Sequence, residues 1–200
     1  MVLLGPVGWA PPGIDPGRWR AALVEDVVDL VATLTEVEPA IGATAAARPL
    51  ADAVAWPGMP VYELPTASAG AALAAAAADG FDQAAVVAAD APDVPGLIIG
   101  KLLRPLTSRT VAVAPAGDAA APHRLAGAGL LGVASRLPAP EWLPELDLDT
   151  VEPNQVRRAA PRPGDVAVTP GWRRLRGPAD LATLDPAMPG WDTTRMLLGG

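Results

Sequence analysis

The chain's 200 residues carry 22 Asp and Glu against 15 Lys and Arg, a formal charge of −7 with a pI near 4.6, which excludes the clustered positive charge that grips nucleic-acid phosphates. Cysteine is absent and His123 is the lone histidine, which excludes a disulfide framework, a thiolate metal site, a cysteine nucleophile and a multi-histidine metal centre. The length suits a single domain over residues 1–200 whose core is built from Ala, Val and Leu, because only 4% of the residues are aromatic.

Met1 to Trp9 lacks the basic opening and apolar run of a signal peptide, and no window approaches the ~18 to 20 apolar residues that span a bilayer. The expectation is a soluble, cytoplasmic protein without a membrane partner. Val2 to Leu4 predicts a first strand, and the Gly- and Pro-rich stretch from Gly5 to Gly17 predicts a loop. Beyond Asp15-Pro16, the apolar residues Trp19, Ala22, Leu23, Val27, Leu30, Val31 and Leu34 recur at helical spacing and predict a helix over 18–35. Glu38 to Thr44 and Pro60 to Leu64 read as strands, with a short helical turn from Pro49 to Trp56 between them. An alanine-rich helix over 66–80 follows, opened by Thr66 or Ser68 and closed by Gly80.

Ala84 to Ala89 is an unbroken run of small apolar residues, the pattern of a strand buried on both faces, and it ends in Asp90-Ala91-Pro92-Asp93. A helix from Pro95 to about Arg104 and strands over 110–114 and 130–137 come next. Residues 153–160 predict a short helix, 165–169 and 172–176 strands, 178–184 a helix opened by Pro178, and 191–198 a helical segment. Strands alternating with helices imply an α/β fold with a mostly parallel sheet covered on both faces.

In such a sheet the ligand crevice lies beyond the carboxyl ends of the strands, so Asp90 is placed at its mouth. A carboxylate there is suited to a hard divalent cation, which in turn holds phosphate oxygens. Equally, an aspartate at that position can end the strand, start the turn or cap the following helix.

Four segments together carry a resemblance: Asp90-Ala91-Pro92-Asp93, Pro115-Ala116-Gly117-Asp118, Gly127-Ala128-Gly129-Leu130-Leu131-Gly132 and Gly177-Pro178-Ala179-Asp180-Leu181. In order and spacing, over roughly residues 80 to 185, they resemble the MobA-like nucleotidyltransferases, and more closely the glycosyltransferase branch of the nucleotide-diphospho-sugar transferase superfamily. The resemblance implies a Rossmann-like three-layer α/β/α sandwich of the GT-A type that binds a nucleotide or nucleotide sugar through Mg²⁺ or Mn²⁺. It places Asp90, assisted by Asp93, at the metal, and Asp118, Gly127 and Gly129 on the acceptor side.

Two departures accompany it. The family's glycine-rich phosphate loop with a basic residue corresponds to Pro12-Gly13-Ile14-Asp15-Pro16-Gly17-Arg18, which has no lysine and leaves Arg18 and Arg20 as its cations. An Asp-x-Asp that the family often carries before its final helix is here Arg174-Leu175-Arg176, so a second metal carboxylate is exchanged for arginines that could meet phosphate directly. Arg18, Arg20, Arg174 and Arg176 are therefore the candidate phosphate clamps, each with surface charge as its ordinary alternative.

Three readings stand. One is a metal-dependent nucleotidyl- or glycosyltransferase. Another is a non-catalytic binding or regulatory protein that retains the GT-A-like fold. The third is a partner subunit, a homodimer included, using Trp9, Trp56, Trp142, Trp172 or Trp191 as an interface, against which core filling is the commoner use of tryptophan.

Overall fold

A computed structural model describes residues 1–117, 129–143 and 145–199. The chain runs β1 (Val2–Leu3), α1 (Pro16–Ala32), β2 (Ile41–Ala43), α2 (Arg48–Val54), β3 (Val61–Glu63), α3 (Ala69–Ala78), β4 (Gln83–Ala88), α4 (Gly96–Leu103) and β5 (Val111–Pro115). It continues through β6 (Leu130–Arg136), α5 (Pro153–Ala159), β7 (Val166–Val168), α6 (Pro178–Leu181) and α7 (Asp192–Leu197).

The strands form one sheet in the order β3-β2-β1-β4-β6-β5-β7. All neighbours pair in parallel except β6, which runs antiparallel to both β4 and β5. β4 is the middle strand, as its unbroken apolar run predicts, and the chain crosses over on either side of it.

Side-chain alternation along the strands assigns the layers. Val2, Ala85, Val87, Ala112 and Leu131 face the helices α1, α2 and α4 through Val24, Val27, Ala51, Ile98 and Leu102. Leu3, Val86, Ala88, Val111 and Val133 face α3 and α5 through Ala72, Leu73 and Val156. The result is the expected three-layer sandwich.

Local signals account for the element ends. Asp15 accepts the backbone N–H of Arg18 and caps α1, with Pro16 at the start of the helix. Ser68, rather than Thr66, caps α3 by accepting the N–H of Ala71.

The segment 172–176 departs from expectation. It is extended but joins the sheet only at a parallel bridge between Trp172 and Ala116. Beyond that bridge it leaves β5 and crosses toward the end of β4, where the Leu175 N–H donates to the Asp90 carbonyl at 2.7 Å. Leu175 itself is buried beside Trp19 and Leu23 of α1, which fastens this strap to the front of the molecule.

Candidate functional site

The carboxyl ends of β1 and β4 open on a crevice of about 240 Å³, bordered by Gly5, Ala89, Asp90, Asp149 and Arg174. This is where an open α/β sheet receives its ligand. A larger cavity, about 350 Å³, lies at the opposite, amino-terminal ends of the strands beside Met1 and Gln83. The smaller one holds Asp90 and Arg174, two of the charged residues that the sequence singles out.

Asp90 is only 6% exposed. Its Oδ1 accepts from Arg174 Nε at 2.5 Å and its Oδ2 from Arg174 Nη2 at 2.9 Å, a bidentate pair. Arg174 Nη2 also reaches Asp149 Oδ1 at 2.8 Å, while Nη1 donates to the carbonyls of Leu130 and Leu148 at 3.0 and 3.1 Å. These five contacts match the five N–H donors that a guanidinium possesses. Burial works against the charge on Arg174, and the Asp90 and Asp149 carboxylates outweigh it, raising its pKa above the ordinary arginine value.

Arg176 completes the cluster. Its Nη2 donates to Asp149 Oδ1 at 3.0 Å and its Nε lies 3.7 Å from Asp90 Oδ2. Burial, followed by the charge of Arg174, pulls its pKa below the ordinary value. Two carboxylates and two guanidiniums leave the group formally neutral.

Asp93 has a fully buried side chain. It accepts from Trp172 Nε1 at 3.0 Å and from Arg173 Nη2, and the Arg173 guanidinium stacks on the Trp172 ring 4.7 Å from its centroid. Asp90 and Asp93 are therefore both fasteners of the strap.

The expectation that these two aspartates hold Mg²⁺ or Mn²⁺ does not fit this donor set, because both Asp90 oxygens meet a guanidinium and the two Asp93 oxygens accept from Trp172 Nε1 and Arg173 Nη2. Among the described residues no cluster of three His, Cys, Asp or Glu side chains could hold a metal. Nor does Asp90 cap a helix, since Pro95 occupies the N-cap of α4.

The remaining expected residues divide. Arg20 Nη2 donates to the carbonyl of Gly5, on the crevice border, at 3.0 Å. Arg18 is exposed on the first turn of α1. Gly129 sits at the entry to β6 with φ +74°, so close to the turn at 147–150 that a Cβ would lie 2.3 Å from the Leu148 carbonyl. Its immediate effect is to let that turn present Asp149 and the Leu148 carbonyl to Arg174. Asp118 and Gly127, expected on the acceptor side, lie outside the described residues.

Asp149 is the site residue that sequence reasoning missed. Asp147 accepts the Asp149 N–H at 2.8 Å and the Thr150 hydroxyl at 3.2 Å, so Asp147-Leu148-Asp149-Thr150 has the composition of an ordinary turn. Nothing in that composition separates the carboxylate that shapes the turn from the one that faces Arg174.

Solved structures share this architecture. Over 100% of this chain and 93% of the other, the fold matches a protein from Desulfovibrio desulfuricans G20 assigned as a nucleotide-diphospho-sugar transferase, with a TM-score of 0.64 and 18% sequence identity. Over 100% of this chain and 97% of the other, it matches CMP:2-keto-3-deoxy-manno-octonic acid synthetase complexed with CTP, with a TM-score of 0.60 and 12% identity. No protein-family model and no curated protein matches the sequence. Among the described residues no helix is long and apolar enough to cross a membrane. The chain thus shares the Rossmann-like α/β fold of these two structures, with a charge-paired aspartate at the end of its middle strand.

Proposed function

We propose that the chain binds a nucleotide or nucleotide sugar in the crevice beyond β1 and β4 and does not transfer it, acting as a binding or regulatory protein built as one domain on the GT-A fold. The observation that carries this reading is the Arg174–Asp90 pair. Nucleotidyl and glycosyl transfer develop charge on phosphate oxygens, which preorganised cations must neutralise. Here the carboxylate suited to a metal is paired, and the five donors of Arg174 are matched within the protein. The loop after β1 adds no lysine, and its Asp15 is committed to capping α1.

Arg176, whose side chain is 32% exposed, and Arg20, bonded to Gly5, are the guanidiniums this reading assigns to the ligand's phosphates. The likeness in fold to a synthetase complexed with CTP supports a nucleotide as the ligand. That likeness also favours a second reading, metal-dependent transfer with Mg²⁺ or Mn²⁺ at Asp90 and with Asp118, Gly127 and Gly129 toward the acceptor. It requires Arg174 to leave Asp90 when ligand binds.

Thermal melting with CTP, GTP and sugar nucleotides, in EDTA and then in Mg²⁺ or Mn²⁺, separates the two. Binding without transfer predicts stabilisation of roughly 2.7 kcal/mol at a hundredfold excess over Kd, equal with and without metal, and no release of pyrophosphate or nucleoside diphosphate. Release that needs metal and vanishes in Asp90→Asn establishes the transferase reading. No shift with any nucleotide refutes the ligand class.

A further inference from the structure

We propose that the cavity at the amino-terminal ends of the strands is a second ligand site, which takes a small organic cation with its apolar body inside and its ammonium group at the mouth. The space exists because neighbouring strands start at different levels. β1 begins at Val2, level with Ile41 of β2 and Val87 of β4, whereas β4 begins four residues earlier at Gln83. Below Met1, among the described residues, no strand separates β2 from β4, and a volume of about 350 Å³ is left. Small-molecule pockets start at roughly 300 Å³, and a dry cavity of about 150 Å³ already admits benzene.

The walls are apolar and come from both helical layers. Val31 of α1, Ile99 and Leu103 of α4 and Ala76 of α3 contribute, with the half-buried Val37 and Phe81 beside them. One backbone donor faces the space as well. A parallel strand directs both polar groups of every second residue to one neighbour. The Val87 N–H donates to the Met1 carbonyl at 3.0 Å, and the Ala85 carbonyl accepts from the Met1 nitrogen at 2.8 Å. The Ala85 N–H therefore points the same way, below the last residue of β1.

Charge divides the cavity into two ends. At the inner end, burial pulls the Met1 amine down to about 6 from its ordinary value of 8.0, so positive charge is disfavoured there. The mouth is the reverse. Glu36, Glu38 and Asp82, all exposed, border it, and among the described residues that line the cavity there is no lysine or arginine. Tyr62, on the same lining, feels this field: its hydroxyl donates to Asp79, and burial, then Asp79, then Glu38 push its pKa up to about 12. An apolar interior with a carboxylate rim is complementary to an amphipathic amine and repels the phosphates of a nucleotide.

The inference is independent of the nucleotide reading, because the crevice opens at the other ends of the same strands. Titration of the isotopically labelled chain with tryptamine, tryptophol and indoleacetate, followed through backbone amide chemical shifts, offers one ring system in three charge states. Tryptamine is expected to bind at least about fivefold more tightly than either of the others at low salt, with the preference shrinking in about 0.5 M NaCl. The amides of Phe81, Gln83 and Ala85 should move while those of Gly5 and Asp149 stay. In the triple variant Glu36→Gln, Glu38→Gln, Asp82→Asn, tryptamine should fall to the affinity of tryptophol.

Equal affinity for the three compounds overturns the proposal, as do shifts centred on the crevice or no binding of tryptamine at millimolar concentration. Tryptamine affinity that is unchanged in the folded triple variant overturns it too. The salt series on the wild-type chain reads the same charge contribution without any substitution, so a preference for tryptamine that ignores salt counts equally against it.

Discussion

Arg174 meets Asp90 edge to edge, Nε on Oδ1 and Nη2 on Oδ2, while the next residue, Leu175, donates its backbone N–H to the Asp90 carbonyl. One aspartate is thus tied through side chain and main chain to the same strap. A buried ion pair overcomes the desolvation of its members only when the remaining donors and acceptors are also used. The carbonyls of Leu130 and Leu148 and the Asp149 carboxylate meet that condition for Arg174. Position 90 therefore works as an anchor, and the energetics of the site are those of a structural pair.

Truncating one partner and replacing both should differ in sign of consequence. Arg174→Met strands a buried carboxylate and is expected to lower stability in EDTA by about 3–5 kcal/mol. Adding Asp90→Leu removes that stranded charge, so the double variant should be more stable than Arg174→Met alone. Urea unfolding of the four members of the cycle reads the coupling. Equal stability of the single and double variants would show that Asp90 does not depend on Arg174 for its compensation.

Asp93 gives the strap a second fastening. Trp172→Phe removes the Nε1 donor from a fully buried carboxylate and should cost about 1–3 kcal/mol. Because Asp93→Asn weakens the same contact and the pair to Arg173, the two changes are expected to combine with less than the sum of their separate effects. Additive denaturation midpoints would mean that Trp172 and Asp93 do not act through each other.

Periodicity carried much of the architecture. The apolar run at 84–89 marks a strand covered on both faces, and its central place in the sheet follows from the alternation of strands and helices around it. Segment 172–176 has β-compatible composition but does not form a strand, because its backbone groups are divided between Pro115, Gly117 and Asp90 instead of one continuous neighbour. The site was legible as a list of residues and not as their pairing. Asp90, Asp93, Arg174 and Arg176 all stand out in the sequence, yet local pattern carries no information on which charges meet across 84 residues of chain. That meeting is set by the crossover of the strap over β5 and β4, a property of the assembled sheet.

Gly129 should be intolerant of a side chain. At φ +74° an L-residue is strained, and a Cβ there would press on the Leu148 carbonyl that Arg174 binds. Gly129→Ala is expected to destabilise the protein by about 2–4 kcal/mol. Gly70 in α3, where a Cβ meets nothing within 4 Å, is the control. Gly70→Ala should be neutral or stabilise by about 0.5–1 kcal/mol. Thermal melting of the two variants side by side tests whether the constraint belongs to the 147–150 turn.

The last expectation concerns pH. Asp26 on α1 is 3% exposed and accepts the backbone N–H groups of Thr193 and Thr194, which docks α7 against α1. Burial raises its pKa, and the hydrogen bonds from Thr194 and Thr193 offset only part of that rise. A carboxyl whose pKa is higher folded than unfolded binds protons more tightly in the native state. Its contribution to stability is thus greatest below the ordinary carboxylate pKa and declines as pH rises through the folded value. Glu25 on the same helix, its pKa raised by burial and then by Asp29 and Asp26, slopes the same way. Asp26→Asn keeps an acceptor for the Thr193 and Thr194 N–H groups and removes the titration. Its melting temperature relative to wild type should therefore move in the variant's favour between about pH 4 and about pH 7. A difference that stays constant, or moves the other way, would show that the docked carboxylate is held by its hydrogen bonds more strongly than burial opposes it.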